Sequence, residues 1–434
     1  MRRTYNLVEL FSGIGSQAKA LKNLNVKVNT LGTCEWDIHA FMAYDAIHNA
    51  VVIPKDIDSM TKDEILVELK KYTLSSDGKK EMPFKSLSSY SLDALKRVYT
   101  GIIRSKNFVD INSLEGTMLA DDIDILTYSF PCQDLSNVGA FHGYNKGIDK
   151  NSGSRSSLLW QVGRILSEMR DNNKKMPRFL LMENVPTLLA KRHINNFNMW
   201  IDDLKELGYT SKYFQLNASL FGQPQNRPRL LMLSVYTGDN EIIEQTVSKF
   251  FNGRTEADVV NDYRKSKYFH DVQLKDLLRI DYSQEKLFDE AVECTPNDTV
   301  SRRRIWDNNP QIIFSNNELN EDMTCVRTIT TKQDRDPNSG NLYFDSGIEG
   351  RSKFRYLTPR ECLLFMGFTD EDYERIKKYD VEFHKNSHIF PRDKIIRMAG
   401  NSIPVKLLEG IFWQVILLDG KITKALKNKD KSSL

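Results

Sequence analysis

The sequence has few cysteines, and they lie far apart. Its 434 residues contain five, at positions 34, 132, 294, 325 and 362, with no Cys-x-x-Cys pair. An odd number of distant cysteines argues against a disulfide framework or a zinc site. It favours a reducing compartment such as the cytoplasm.

Long apolar runs and a strong net charge are also missing. No stretch approaches the roughly 18–20 apolar residues that span a bilayer, and the start, MRRTYNLVELFSG, is too polar for a cleavable signal peptide. The net charge of +3 gives only weak support for a nucleic-acid partner. The 40% apolar and 27% charged residues are typical of a globular protein, with room for two or three domains.

Predicted strands and helices alternate through the first sixty residues. YNLVELF, VKVNTLGTCEW and AVVIPKDI predict strands, and QAKALKNL and DIHAFMAYDAIHN predict the helices between them. DIDILTYSF and RFLLMENV continue the pattern, and YFQLN with RPRLLMLSV predicts a closing hairpin. This order indicates a doubly wound, largely parallel sheet that binds ligands at the carboxyl ends of its strands.

Two regions interrupt this pattern. Residues 59–118 are rich in Lys, Ser and Glu and predict helices and loops inserted between strands, packed against the sheet edge. After a first unit at 1–237, residues 238–350 are loop-rich and predict a smaller module. Helical pattern returns from 351, with a helix from about 404 and a frayed Lys-rich tail.

LFSGIGSQAKAL has the properties of a ligand-binding turn between a strand and a helix. Gly13 and Gly15 allow a tight turn and close approach of the backbone, and Glu35 follows Gly13 by 22 residues, where a ribose-binding acid is expected. The pattern fits NAD, FAD or S-adenosylmethionine, and also a plain structural turn. Trp36 offers a face for adenine and Asp56 an acceptor for its amino group, although either fits an ordinary strand end.

Cys132 lies directly after Pro131, where a predicted strand ends. A free cysteine is usually a small buried residue. Here the polar Gln-Asp-Leu-Ser that follows indicates the rim of a cleft, and a nearby helix start would stabilise the reactive thiolate. The position therefore favours a nucleophile.

Polar residues follow the next two predicted strands as well. Glu183 and Asn184 end the apolar run LLMEN, and a charged residue there indicates an active site. Arg227 and Arg229, in QNRPR, are spaced to share one strand face, which fits either a solvated face or an anionic site.

Nine sequence blocks together resemble the motifs of one family. In chain order they are FSGIGS, CEW, the pair Asp56-Ile57, SFPCQDLS, RSSLLW, MENV, QNRPR, YLTPRECLLFMGF and AGNSIPV. The set resembles the cytosine-5 DNA methyltransferases, and its spelling is most similar to the bacterial restriction–modification branch.

The resemblance implies a Rossmann-like, S-adenosylmethionine-dependent methyltransferase sheet with a smaller, loop-rich target-recognition domain. The catalytic domain is expected at 1–237, the recognition domain at 238–350, and a bridging segment with a returning C-terminal helix at 351–434. It implies double-stranded DNA as partner, a monomer, and a cytoplasmic, nucleoid-associated bacterial enzyme without metal. It also allows a cognate restriction endonuclease.

The resemblance further implies a mechanism. Cys132 is expected to attack carbon 6 of a cytosine flipped out of the duplex. Glu183 is expected to contact ring nitrogen 3 and Asn184 to brace the cysteine loop. Arg229, with Arg227 beside it, is expected to stabilise the base carbonyl.

The expected binding residues form two sets. The S-adenosylmethionine pocket is expected to contain Phe11, Ser12, Gly13, Gly15, Glu35, Trp36, Asp56, Ile57, Asn401 and Ser402. Contacts to DNA are expected from Gln133, Ser136, Arg302, Arg303, Thr328 and Ile329.

Three alternatives are weaker. The family's tRNA-methylating branch shares the catalytic blocks, but its Cys-Phe-Thr signature is not evident here. A non-catalytic DNA-binding relative would not need Cys132, Glu183 and Arg229. A nicotinamide oxidoreductase would explain only residues 10–36.

Overall fold

A computed structural model describes residues 4–131 and 158–432 of the chain, with the side chains of 430–432 excepted. The strands within these ranges are β1 Thr4–Leu10, β2 Lys27–Cys34, β3 Ile125–Tyr128, β4 Phe179–Asn184, β5 Tyr209–Asn217, β6 Gln225–Asn226, β7 Pro228–Tyr236, β8 Gln311–Ile313, β9 Val326–Arg327, β10 Asn341–Tyr343, β11 Phe354–Arg355, β12 Glu382–His384 and β13 Ser387–His388.

The helices of the same ranges complete the element order. They are α1 Ser16–Asn23, α2 Ile38–His48, α3 Lys55–Asp58, α4 Lys62–Leu69, α5 Phe84–Ser88, α6 Leu92–Arg104, α7 Leu159–Asp171, α8 Ile194–Glu206, α9 Glu241–Phe251, α10 Glu256–Arg264, α11 Leu274–Leu277, α12 Glu285–Glu293, α13 Val300–Asn308, α14 Pro359–Phe365, α15 Asp370–Tyr379, α16 Arg392–Asn401 and α17 Val405–Ser432. None of them has the length and apolar character needed to cross a bilayer.

A six-stranded mixed sheet organises the molecule, in the order β2-β1-β3-β4-β7-β5. The first four strands are parallel, and β7 runs antiparallel between β4 and β5. The carboxyl ends of β1 to β4 therefore open at one edge, where β7 begins. The predicted strands at these positions and the closing hairpin are confirmed.

Helices cover both faces of the sheet, because its central strands are apolar on both sides. Ile125 and Leu181 pack in the cluster that contains α1, α2, α6 and α17. Leu126 and Leu180 pack in the opposite cluster, with α7 and α8. Alternate residues of one strand thus supply both cores, as the two-residue period of a strand requires.

The strand predicted from AVVIPKDI was wrong. Residues 55–58 form the short helix α3 instead, and Asp56 is exposed on it. The edge of β2 is paired further along the chain, where Asn107 bridges Thr33 in parallel. That pairing satisfies the backbone hydrogen-bonding groups at the end of β2. The apolar residues 51–53 therefore have no strand partner at this edge.

The region 59–118 folds as helices and loops, as predicted. Within it α6 packs against α2 and α4, and Gly101 of α6 allows close approach to Phe41. Its last part returns to the sheet through the bridge at Asn107.

The region 238–350 contains more helix than its composition predicted, with α9 to α13 all inside it. Of these, α9 and α10 pack on α17 and β5, beside the main sheet. The helix α17 also packs on α1, so the chain end returns to the first domain, and it continues to Ser432 where a frayed tail was expected. The division at 237/238 and 350/351 stays a prediction.

Candidate active site

The turn after β1 carries a positive-φ backbone at three positions. Phe11, Gly13 and Gly15 have φ values of +57°, +54° and +79°. A Cβ atom on Gly15 would lie 2.3 Å from Nε2 of His48, so only glycine fits there. Gly15 is the N-cap residue of α1. The turn before it, residues 11–14, faces the open edge of the sheet.

This edge encloses a cavity of about 390 Å³, within the range of ~300–1,000 Å³ typical of small-molecule sites. The residues predicted from the sequence that line it are Phe11, Ser12, Gly13, Glu35, Trp36, Glu183, Asn184, Arg227, Arg229, Asn401 and Ser402. Gly15, Asp56 and Ile57, which were also predicted to bind the cofactor, are not among the residues that line it. Gly15 is the N-cap residue of α1, and Asp56 and Ile57 belong to α3.

Glu35 follows β2 and is fixed on both oxygens. Its Oε2 accepts a hydrogen bond from the Gly13 amide at 3.1 Å, and its Oε1 accepts one from the Asp37 amide at 2.9 Å. Burial, and next the Asp37 carboxylate, raise the pKa of Glu35 to about 7. Trp36 lies beside it on the cavity wall.

A wall of the cavity comes from the region 59–118, which the sequence reasoning left without a function. Val109, Asp110, Ile111 and Asn112 line it. The preceding Asn107 holds the backbone of Glu35, because its side chain accepts from that residue's amide at 3.0 Å and donates to its carbonyl at 2.8 Å. Asp110 and Ile111 thus lie on the cavity wall, whereas Asp56 and Ile57 lie on α3.

Glu183 and Arg229 form an ion pair at the mouth of the cavity. Glu183 lies near the end of β4 and Arg229 near the start of the antiparallel β7, with Arg229 Nε 2.8 Å from Glu183 Oε1. The side chains are 12% exposed each. Burial raises the pKa of Glu183, while the charges of Arg229 and Arg227 oppose the shift.

Asn184 holds the end of β3. Its Nδ2 donates to the carbonyl of Phe130 at 3.1 Å, and its Oδ1 accepts from the Val185 amide at 2.8 Å. Phe130 and Pro131 line the cavity. The predicted residues Cys132, Gln133 and Ser136 lie outside the described residues.

Arg227 donates hydrogen bonds to three backbone carbonyls. Its Nη1 donates to the carbonyl of Ile329 at 2.7 Å, and its Nη2 donates to those of Gly400 at 2.7 Å and Ser402 at 2.8 Å. The side chain is 2% exposed. Arg227 thus joins the start of β7, the segment after β9 and the end of α16, and it lines the same cavity as Arg229.

The DNA-binding residues predicted within the described ranges have different environments. Ile329 is fully buried and its amide donates to Gln225 Oε1, so its contact with DNA stays a prediction. Thr328 is exposed, with its hydroxyl donating to the Asn226 carbonyl at 2.7 Å. Both follow β9, which pairs with β6, the strand directly before Arg227.

The two predicted arginines of α13 also differ. Arg303 is paired with Asp298 at 2.7 Å. Arg302 Nη1 instead donates to the Arg335 carbonyl at 2.8 Å and to the Tyr356 hydroxyl at 3.0 Å.

No group of His, Cys, Asp and Glu suited to a metal ion occurs in the part of the chain that the structure describes.

Comparison with known proteins identifies the family. Residues 84–416 match the model of the C-5 cytosine-specific DNA methylases. The chain is 30% identical over 412 residues to the orphan methyltransferase M.SssI of Spiroplasma monobiae, covering 94% of this chain and 96% of that protein. It is equally similar to the type II methyltransferase M2.ScrFI of Lactococcus lactis subsp. cremoris, at 30% identity over 94% of this chain and 98% of the relative.

The fold comparison agrees with this. The structure resembles that of the S. pombe Dnmt2 methyltransferase with a TM-score of 0.54 and 16% identity, over 95% of this chain and 98% of that one. It thereby shares the methyltransferase fold expected from the sequence. With the family match over most of its length, the chain belongs to the C-5 cytosine-specific DNA methylase family and is a DNA cytosine-5 methyltransferase.

Proposed function

We propose that the enzyme uses S-adenosylmethionine, bound in the 390 Å³ cavity, to methylate a flipped cytosine held by Glu183 and Arg229. One observation carries the proposal. The Glu183–Arg229 ion pair lines the same cavity as the glycine turn and Glu35, so a base and a methyl donor would meet there.

The cavity wall fits the methyl donor. Ser12 is 3% exposed, and its hydroxyl has no hydrogen-bond partner among the described residues, so it is available to a ligand. Glu35 and Asp110 supply acceptors for ribose and adenine groups, and Trp36 supplies an aromatic face. When bound, S-adenosylmethionine supplies an electrophilic methyl group.

The residues around the base prepare carbon 5 for that group. Cys132, directly after Pro131 in the chain, forms a bond to carbon 6 as its thiolate. The electron pair of the 5,6 double bond forms a double bond between carbons 4 and 5, and that of the double bond between carbon 4 and nitrogen 3 moves onto nitrogen 3. Glu183, whose pKa is raised by burial, gives a proton to ring nitrogen 3. Arg229 stabilises charge on the base carbonyl.

Carbon 5 then bonds to the methyl carbon as the methyl–sulfur bond of the donor breaks, which leaves S-adenosylhomocysteine, and carbon 5 loses its proton to a base such as water. The bond between the Cys132 sulfur and carbon 6 then breaks, nitrogen 3 returns its proton to Glu183, and the aromatic ring and the thiolate are restored. Asn184 positions the residues before Cys132 through its bond to Phe130. Arg227 positions the segment after β9 and the end of α16.

The test uses radiolabelled S-adenosylmethionine with unmethylated genomic DNA and, in parallel, bulk tRNA, followed by bisulfite sequencing of the DNA. We expect label in DNA, at cytosines that share one short word. Cys132→Ala should abolish transfer, whereas Cys325→Ala, a change outside the cavity wall, should retain it. Label only in tRNA, or normal transfer by Cys132→Ala, would contradict the proposal.

The biological setting is part of the same proposal. Relatives bear both orphan and type II names, and we infer a restriction–modification role with a cognate endonuclease in a bacterial cytoplasm, at the nucleoid. A monomer is proposed because one chain supplies the whole described wall of the cavity. Light scattering of the DNA complex should give one protein chain per duplex.

A further inference from the structure

A second cavity, of about 700 Å³, lies where α16 meets the region predicted to recognise DNA. Three arginines reach its wall from separate segments of the chain. Arg302 comes from α13, Arg351 precedes β11, and Arg392 is the first residue of α16. The remaining wall is mostly polar and includes the hydroxyl-bearing residues Thr299 and Tyr356.

Each of the three guanidinium groups is fixed by a hydrogen bond from Nη1 to a backbone carbonyl. The accepting carbonyls belong to Arg335 at 2.8 Å for Arg302, to Thr295 at 2.7 Å for Arg351, and to Glu293 for Arg392. A guanidinium held in this way keeps Nη2 and Nε for a ligand. Less conformational entropy is then lost when a ligand binds.

None of the three arginines forms an ion pair with a carboxylate in residues 4–131 and 158–432, whereas their neighbours do. Arg303 is paired with Asp298 at 2.7 Å and Arg335 with Asp334 at 2.8 Å. The acids of this cavity are Asp334, engaged by Arg335, and the exposed Glu293. Oriented guanidinium groups without an acid partner are suited to the oxygens of a phosphate.

The second cavity has a fixed relation to the first. The helix α16 begins at Arg392 on the second cavity and ends at Asn401 on the first, a rise of about 14 Å over nine residues. One DNA strand rises about 3.4 Å per base, so this span corresponds to about four base steps. A strand whose target base lies in the first cavity could therefore place a nearby phosphate at the second cavity.

We propose that Arg302, Arg351 and Arg392 bind a backbone phosphate of the DNA a few nucleotides from the target cytosine. The proposal rests on the proposed function, because it takes the first cavity as the site of the target base. It also separates the roles of two adjacent arginines, with Arg302 on DNA and Arg303 in an internal ion pair.

The test measures DNA binding without a methyl donor, by the fluorescence anisotropy of a labelled duplex of arbitrary sequence. Salt is varied between about 50 and 200 mM, because each phosphate contact contributes about 0.9 to the slope of log affinity against log salt. We expect Arg351→Gln and Arg392→Gln each to weaken binding and to remove part of the slope of about 0.9 that this one phosphate contributes. Arg303→Gln, the matched control outside the cavity, should keep the slope. Unchanged slopes for both cavity variants would overturn the proposal.

A second variant tests the cavity without removing an arginine. Glu293→Gln removes the exposed carboxylate on its wall and should tighten DNA binding about threefold, a change that a loss of fold cannot produce. Weaker or equal binding would contradict the proposal. Thermal stabilisation by inorganic phosphate in wild type but not in Arg392→Gln, with no change in DNA slope, would assign the site to a free anion and overturn the DNA assignment. Wild-type protein that binds DNA but transfers no methyl group would refute the proposed function alone.

Discussion

At the scale of single residues, Glu35 should make binding of the methyl donor depend on pH. Its pKa lies at about 7 because burial and Asp37 disfavour the charge, so the carboxyl group gains a proton as the pH falls below 7. A neutral acid attracts a sulfonium cation and accepts ribose hydroxyls less well than a carboxylate. We expect the Kd for S-adenosylmethionine, measured by calorimetry without DNA, to rise severalfold from pH 8 to pH 6.

The pKa of Glu183 is also raised by burial. DNA is omitted so that contact between Glu183 and the target base does not add to the pH dependence of the Kd. Glu35→Gln is the control, because it should bind more weakly at pH 8 and show little change toward pH 6. A wild-type Kd that stays constant across this range would contradict a role for the Glu35 carboxylate.

Two aspartates distinguish the predicted from the observed wall of the cavity. Asp110 lines it, whereas Asp56 is exposed on α3. Loss of an acceptor for a ligand amino group typically costs about 1–3 kcal/mol. We therefore expect Asp110→Ala to weaken S-adenosylmethionine binding by about tenfold or more, and Asp56→Ala to leave the Kd unchanged in the same titration. A weaker affinity in Asp56→Ala than in Asp110→Ala would instead support Asp56 as the cofactor-binding residue.

At the scale of elements, Arg227 connects three segments that the sequence does not place together. Its removal would leave the carbonyls of Ile329, Gly400 and Ser402 without their donor. Buried groups that lose a partner cost about 1–3 kcal/mol each. Arg227→Ala should therefore lower the free energy of unfolding by about 3 kcal/mol or more, seen in denaturant titration.

Arg229→Lys provides the contrast to that change. It keeps a cation beside Glu183 but loses the planar guanidinium, so kcat should fall while stability stays close to that of wild type. Equal loss of stability in both variants would mean that Arg229, too, serves mainly the fold.

The same elements show what sequence patterns can and cannot predict. β1, β3 and β4 were predictable because long apolar runs between helical segments fit buried strands. AVVIPKDI has similar strand propensity, but a strand needs a free edge, and the chain near Asn107 pairs with β2 instead. Asp110 was missed because its segment pairs through one bridge and has too few residues to show a period.

Burial was the other limit on the site prediction. The Thr-Ile pair at 328–329 was found from its motif, but neither residue type tells which side chain faces outward, and Ile329 lies in the core. Arg227 and Arg229 share a strand face in the sequence pattern. Only the tertiary contacts show that Arg227 donates to backbone carbonyls and that Arg229 pairs with Glu183.

At the scale of the whole molecule, α17 joins the end of the chain to its beginning. It packs on α1, α9 and α10 and on the turn at 218–221. Tyr5 of β1 donates to Asp419 Oδ2 at 2.8 Å, and Arg178, next to β4, donates to Oδ1 of the same residue at 2.5 Å. Integrity of the first domain therefore depends on the last helix, although the recognition region lies between them in sequence.

Two glycines of α17 test this dependence. A Cβ atom on Gly410 would lie 2.1 Å from Cε1 of the fully buried Phe221, whereas one on Gly420 would meet nothing within 4 Å. Alanine is favoured over glycine in a helix by about 0.5–1 kcal/mol, but overpacking a core costs about 1–3 kcal/mol. Gly420→Ala should therefore raise the midpoint of thermal unfolding and Gly410→Ala should lower it, although both remove the same flexibility from the same helix.

If Gly410→Ala also lowers the affinity for S-adenosylmethionine, the packing of α17 on the first domain supports the cavity as well as the fold. If both variants are stabilised, α17 does not pack on residues 218–221 in solution as it does in the structure.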